Sequence, residues 1–223
     1  MIIREGKQKN ILSAFSLVEL LVAMTILILV IGALFSLMNS GREVWTVNDT
    51  KIGLQSTLRS VRDRLSSELE QSGSDQNSNM KVTVTQAAGN NNSDVIRFSI
   101  PIICQSGGKI LDNNANVSYW GAPLTYGCND YSCMDADNNC GTIDYTSLEY
   151  RINSDKQMER RVYNSLGNIA RTDVVGMNLS DFQAVLDSTN NYLTITLNVS
   201  GISTNKRIVT MADTFNVYLR NKR

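Results

Sequence analysis

The sequence predicts an α+β fold in which a long N-terminal α-helix, membrane-spanning in its first half, packs on a C-terminal antiparallel β-sheet domain. Three observations carry that prediction. Phe15 to Met38 is an apolar run interrupted by one charge, Glu19. Leu54, Leu58, Val61, Leu65 and Leu69 then recur every three or four positions with charged residues between them, which is the period of an amphipathic helix. From Lys81 onward, short segments rich in β-branched and aromatic residues alternate with Asn-, Ser- and Asp-rich turns, the pattern of antiparallel strands.

Residues 1–14 form a short basic head, with Arg4, Lys7 and Lys9 against Glu5. A basic flank of this kind holds a segment in the cytoplasm and sends the following chain outward. Residues 15–38 would rise about 36 Å as a helix, enough for a bilayer core of about 30 Å. A cleavable secretory signal would have a shorter apolar core followed by small residues. Here the chain after Ser36 runs Leu-Met-Asn-Ser-Gly-Arg-Glu-Val-Trp, and the small pair Ser13-Ala14 precedes the apolar run.

That placement resembles the type IV prepilins and the pseudopilins of type II secretion, on the residues Ser13-Ala14-Phe15-Ser16-Leu17-Val18-Glu19. The resemblance implies cleavage between Ala14 and Phe15 by a prepilin peptidase, N-methylation of Phe15, and an assembly role for Glu19 inside the membrane. The residue before the cut is usually Gly in that family, and this chain has Ala14. Implied partners are other minor and major pilins or pseudopilins, the peptidase and methylase, and an inner-membrane assembly platform. The implied location is the bacterial inner membrane, single-pass with the C-terminal domain extracytoplasmic, followed by incorporation into the filament.

An ionised Glu19 in a spanning helix costs about 2.5 to 3.5 kcal/mol on insertion scales. Pairing with the α-amino group of Phe15 on a neighbouring subunit would offset that cost and set axial register. The plainer alternative is that Glu19 lies at the cytoplasmic end and reaches headgroup water.

Residues 39–71 continue the helix, with the leucine stripe packing on the chain's own C-terminal domain. Many pilins carry Pro where this chain has Ser36, so Gly32, Gly41 and Gly53 are the weak points of the helix instead. Residues 72–80 read as a linker and 81–223 as one β domain. Its strands are expected at 81–85, 95–103, 148–152, 157–163, 182–186, 192–199, 207–211 and 215–219, with turns at 153–156 and 187–191. Leu148 to Ile152, Met158 to Val162, Val174-Val175 leading to Phe182, and Phe215 to Asn221 also resemble the J-type minor pseudopilin and pilin W branch, whose members join a tip complex that initiates assembly.

Cys104, Cys128, Cys133 and Cys140 are confined to one loop, 104–146. In an oxidising compartment they would form two disulfides in one of three connectivities. Zinc fits poorly, because the C-x4-C-x6-C spacing lacks paired C-x2-C knuckles and the chain has no His. Asp135, Asp137 and Asn139 match the first ligand positions of a calcium loop. Cys140 and Thr146 then stand where Gly and Glu are needed, so calcium is a weak candidate beside ordinary solvated turn chemistry.

No G-x-S-x-G, Walker loop or H-E-x-x-H is present, and without His there is no imidazole base. The expectation is a protein that is not an enzyme. Losing the leader leaves a slightly acidic chain without a basic run, which argues against direct nucleic-acid binding. Three functions are ranked: a minor pilin or pseudopilin at or near a filament tip, an adhesive tip pilin acting through loop 105–146, and a membrane-anchored extracytoplasmic enzyme.

Overall fold

The computed structural model describes residues 16–75, 79–87, 93–102, 117, 119–127, 144–189 and 191–219. The chain divides into two compact units, Met1–Thr46 and Val47–Arg223. One helix, α1 (Leu17–Leu69), runs through the boundary. It contains no proline, and Gly32, Gly41 and Gly53 all lie within it, with open space where a Cβ would stand. These positions therefore act as no break in the helix. It ends in tight turns, with the N–H of Gln71 donating to Glu68 and that of Ser72 to Leu69, which satisfies two of the carbonyls a helix terminus leaves open.

In the first unit the α1 residues from Leu17 to Arg42 are exposed. In the second, Leu54, Leu58, Val61, Leu65 and Leu69 are buried, the stripe read from the sequence. Strands follow as β1 (Val82–Thr85), β2 (Val95–Phe98), β3 (Ile100–Pro101), β4 (Trp120–Gly121), β5 (Tyr145–Ile152), β6 (Met158–Asn164), β7 (Ile169–Gly176), β8 (Leu179–Asp187), β9 (Tyr192–Ile202) and β10 (Ile208–Tyr218). Every pairing is antiparallel. They form a five-stranded sheet ordered β1-β2-β5-β6-β7, a three-stranded sheet ordered β10-β9-β8, and the short pair β3-β4.

The sequence had suggested one sheet, and the division has a local cause. β7 and β8 are joined through Met177 and Asn178, and Asn178 sits at φ 62°, a left-handed conformation that Asn tolerates. The chain leaves one sheet there and enters the other. The β5-β6 turn is built by Asn153, whose side-chain oxygen accepts the N–H groups of Asp155 and Gln157, each at 2.9 Å. Asn164 repeats the device toward Leu166 and Asn168 between β6 and β7.

The packing of α1 on this unit depends on two glycines. A Cβ on Gly176 would collide with Cγ2 of Val61, and one on Gly201 would lie 3.2 Å from Cγ2 of Thr50. The helix stripe, Ile96, Phe98, Leu148, Tyr150 and Val162 of the larger sheet, and Phe182, Leu193, Ile195 and Leu197 of the smaller sheet share one buried core.

Candidate functional site

The first candidate element is the uncovered part of α1. From Leu20 to Gly41 the helix carries no charge, a rise of about 33 Å at 1.5 Å per residue. Its apolar side chains are exposed, Leu17 at 81% and Leu29 at 73% for example. It is the one helix among the described residues long and apolar enough to cross a membrane, and it lies near the N-terminus. The chain is thus built for single-pass anchoring. Thr25, one of the few polar side chains of the run, donates its hydroxyl to the carbonyl of Val22 at 2.8 Å, which satisfies within the helix a donor that lipid could not. Arg42 and Glu43 end the run, and exposed Trp45 follows, a residue type suited to the membrane-water boundary.

Ser16 and Glu19 form a reciprocal cap at the start of α1. The Ser16 N–H donates to Glu19 Oε2 at 3.0 Å, and the Glu19 N–H reaches Ser16 Oγ at 3.4 Å. This is the Ser-x-x-Glu capping box, in which two orphan donors of a helix end are satisfied by side chains. A negative group there also opposes the positive end of the helix dipole. The carboxylate thus has a use within its own helix. The signal was legible as Ser16-Leu-Val-Glu19, and only the family motif was read from it.

The second element is a buried charged clasp at the other end of α1. Glu68 is 3% exposed and Arg160 1%. Arg160 Nη2 donates to Glu68 Oε1 at 2.8 Å, and Nε lies 3.0 Å from both carboxylate oxygens. Tyr150 donates its hydroxyl to Glu68 Oε2 at 2.7 Å. The remaining guanidinium donors reach the carbonyls of Pro123 at 2.8 Å and Leu124 at 3.3 Å, and Asp173 Oδ2 lies 3.7 Å away. Burial pulls the Arg160 pKa down, while the hydrogen bond and charge of Glu68 outweigh it and leave it raised. Burial, then the charge of Glu68, push the Tyr150 hydroxyl well above its ordinary value.

This clasp was not legible in the sequence. Glu68 appeared as one of the charges on the solvent side of the stripe, whereas it adjoins Leu65 and Leu69 on the buried face. Arg160 stands between Glu159 and Arg161 in a charged run, which reads as surface. No spacing rule links position 68 with position 160, because the antiparallel register of β5 and β6 sets Tyr150 opposite Arg160.

Glu19 is therefore placed, but Ala14, Phe15, the cysteines 104, 128, 133 and 140, and the calcium candidates Asp135, Asp137 and Asn139 lie outside the described residues. No family model, no curated protein and no solved structure matches the chain.

Proposed function

We propose that this chain is a minor pilin or pseudopilin, a structural subunit that initiates or sits at the tip of a type IV pilus or type II secretion pseudopilus. The observation that carries this reading is the division of labour along α1. From Leu54 to Leu69 the helix completes the core of its own β domain, while from Leu17 to Met38 its large apolar side chains are exposed. A helix of that kind suits lipid first and the helices of other subunits afterwards. The resemblance over Ser13 to Glu19 adds cleavage before Phe15, N-methylation there and an assembly role for Glu19. Other pilin-type subunits, a prepilin peptidase and an inner-membrane platform are the partners this reading requires.

The capping box refines the part given to Glu19. The carboxylate holds the first helical turn together, and the same group can answer a neighbouring amino terminus once the leader is gone. Intact mass and N-terminal sequencing of the protein from native membranes test the processing step. A terminus at N-methyl-Phe15 is expected, and a terminus still at Met1 in cells with an active prepilin peptidase would overturn it. Glu19→Ala should be cleaved normally yet enter filaments poorly. Normal filament numbers and normal co-purification with other minor subunits in that variant would sink the assembly role.

A further inference from the structure

The direction of the β9-β10 hairpin follows from its contacts with α1. Gly201 packs on the helix so closely that a Cβ would lie 3.2 Å from Cγ2 of Thr50 and 3.5 Å from Cδ2 of Leu54, and it stands opposite Val209. Further along β10, Asp213 pairs with Arg62 at 3.3 Å, and the same guanidinium lies 5.1 Å from the Phe215 ring centre. β10 therefore runs in the same sense as α1, and the turn points back toward the earlier residues of the helix. Ile202 and Ser203 carry the hairpin about 7 Å past Gly201, against about 4.5 Å of helix rise from Thr50 back to Val47. The tip thus reaches the level at which the helix enters this unit.

Two kinds of residue build the tip. Ile202 and Ile208 face each other as the last pair of the ladder, 72% and 74% exposed. Alternation along the strands places them on the sheet face opposite Gly201 and Val209, so the domain's own core does not cover them. The turn itself presents exposed Lys206 and Arg207. It is held by the Ser203 N–H donating to the carbonyl of Arg207 at 2.9 Å, the Lys206 N–H to the carbonyl of Ser203 at 2.8 Å, and the Arg207 N–H to Ser203 Oγ at 3.2 Å. From Ser200 to Ala212 there is no Asp or Glu. Lys206 takes part in none of the ion pairs among the described residues.

Location and chemistry together select the occupant. The uncharged run of α1 ends at Gly41, six residues before Val47. Six residues rise about 9 Å as a helix and span no more than about 22 Å in any conformation, and the headgroup layer beside the hydrocarbon core is itself about 5 to 7 Å deep. A bilayer surface is the partner that the chain holds within reach of this tip in every anchored copy. Aliphatic side chains beside basic ones, with no acid among them, suit that surface: the apolar groups enter the acyl boundary and the cations meet anionic lipid. Residues 42–53 of α1 carry Arg42 and Lys51 against Glu43 and Asp49, so the helix leaves the positive charge of the turn uncancelled.

We infer that the β9-β10 tip seats on an anionic membrane surface, with Ile202 and Ile208 in the acyl boundary and Lys206 and Arg207 against lipid headgroups. The inference rests on single-pass anchoring and not on the pilin reading. It gives the β domain a second attachment to the bilayer besides its helix.

The test places the full chain, one copy per disc, in nanodiscs of phosphatidylcholine and phosphatidylglycerol. A Trp45→Phe/Trp120→Phe background carries a single reporter tryptophan. Ile208→Trp is the test site and Ile202→Trp its independent repeat. Leu166→Trp is the control, since Leu166 is 82% exposed but lies in the β6-β7 turn at the other end of the unit. β6 leads there from Met158, opposite the Gly176 that packs on Val61, past Arg160 at Glu68. Unchanged thermal melts establish that the variants fold. Lipids brominated on their acyl chains should quench and blue-shift the reporter at 208 and at 202 and leave the one at 166 unaffected. Lys206→Glu changes the charge of the tip by two and should lower the ratio of docked to undocked tips about thirtyfold, and about 0.5 M NaCl should weaken the quenching. Quenching at 208 and 202 no stronger than at 166 overturns the inference. So does quenching that Lys206→Glu leaves intact, quenching equal in discs of phosphatidylcholine alone, or a blue shift without quenching that arises only when two copies share a disc, which marks a contact between copies.

Discussion

Replacing Glu68 by Gln keeps the volume of the side chain and removes its charge from the clasp. Arg160, buried to 1% exposure, then keeps a neutral amide oxygen in place of the carboxylate, together with the carbonyls of Pro123 and Leu124 and Asp173 at 3.7 Å. Breaking one partner of a buried ion pair costs about 3 to 5 kcal/mol. Asp173 is close enough to recover part of the lost attraction, which places the expected loss near the lower figure, about 3 kcal/mol. For a domain of this size that corresponds to a fall in Tm of about 6 to 12 °C, from a total stability of order 5 to 15 kcal/mol. Urea and thermal unfolding of the detergent-solubilised chain, followed by the circular dichroism of the β domain, would measure it. Arg160→Met should lose comparably, and the double variant Glu68→Gln/Arg160→Met should lose less than the sum of the two singles, by at least about 1 kcal/mol of coupling. If Glu68→Gln stays within about 0.5 kcal/mol of wild type, the range of ordinary surface changes, the clasp does not hold the helix end and the reasoning fails.

Gly176→Ala puts a methyl group into Cγ2 of Val61, a stiff and fully buried side chain. A loss of about 1 to 3 kcal/mol is expected, and Val61→Ala should restore part of it in the same unfolding assay. Tyr150 gives a pH dependence. Above pH about 10 the unfolded chain releases this phenol proton while the folded chain keeps it, so the folded state binds more protons and stability falls as pH rises, by up to about 1.4 kcal/mol per pH unit. Tyr150→Phe should lose about 1.5 to 3 kcal/mol at neutral pH for a hydrogen bond to a charged group and show a shallower alkaline slope; equal slopes would refute the assignment. The four cysteines, paired in two disulfides, should lower the intact mass by about four hydrogen atoms relative to the reduced chain, and a mass that reduction leaves unchanged would remove the disulfide expectation.

Much of this fold was legible because its signals are periodic. The stripe from Leu54 to Leu69 and the alternation of β9 and β10 each repeat often enough to fix an element and its buried face. β7 escaped because Ile169 to Gly176 is an edge strand exposed along most of its length, so no apolar alternation marks it. The segments 207–211 and 215–219 proved to be parts of one strand, β10, since Asp213 in the middle reads as a break yet pairs with Arg62 at 3.3 Å. β3 and β4 are two residues each, too short for any pattern. The charged clasp depends on contacts between positions far apart in sequence, which no local spacing encodes. The apolar run and Glu19 were plain in the residues themselves, since length and charge alone define them.

The way α1 is fastened bears on how the molecule carries load. Between Leu54 and Leu69 the buried stripe extends about 22 Å along the helix axis, and Glu68 fastens its far end to β6 through Arg160. A pull along the helix from its apolar end would load these contacts side by side, in shear, and detachment would require many of them to fail together. The ion pair lies last in line, where it resists slippage after the first leucines begin to give. A domain fastened in this way would tolerate traction along its helix better than a force that peels the helix away sideways.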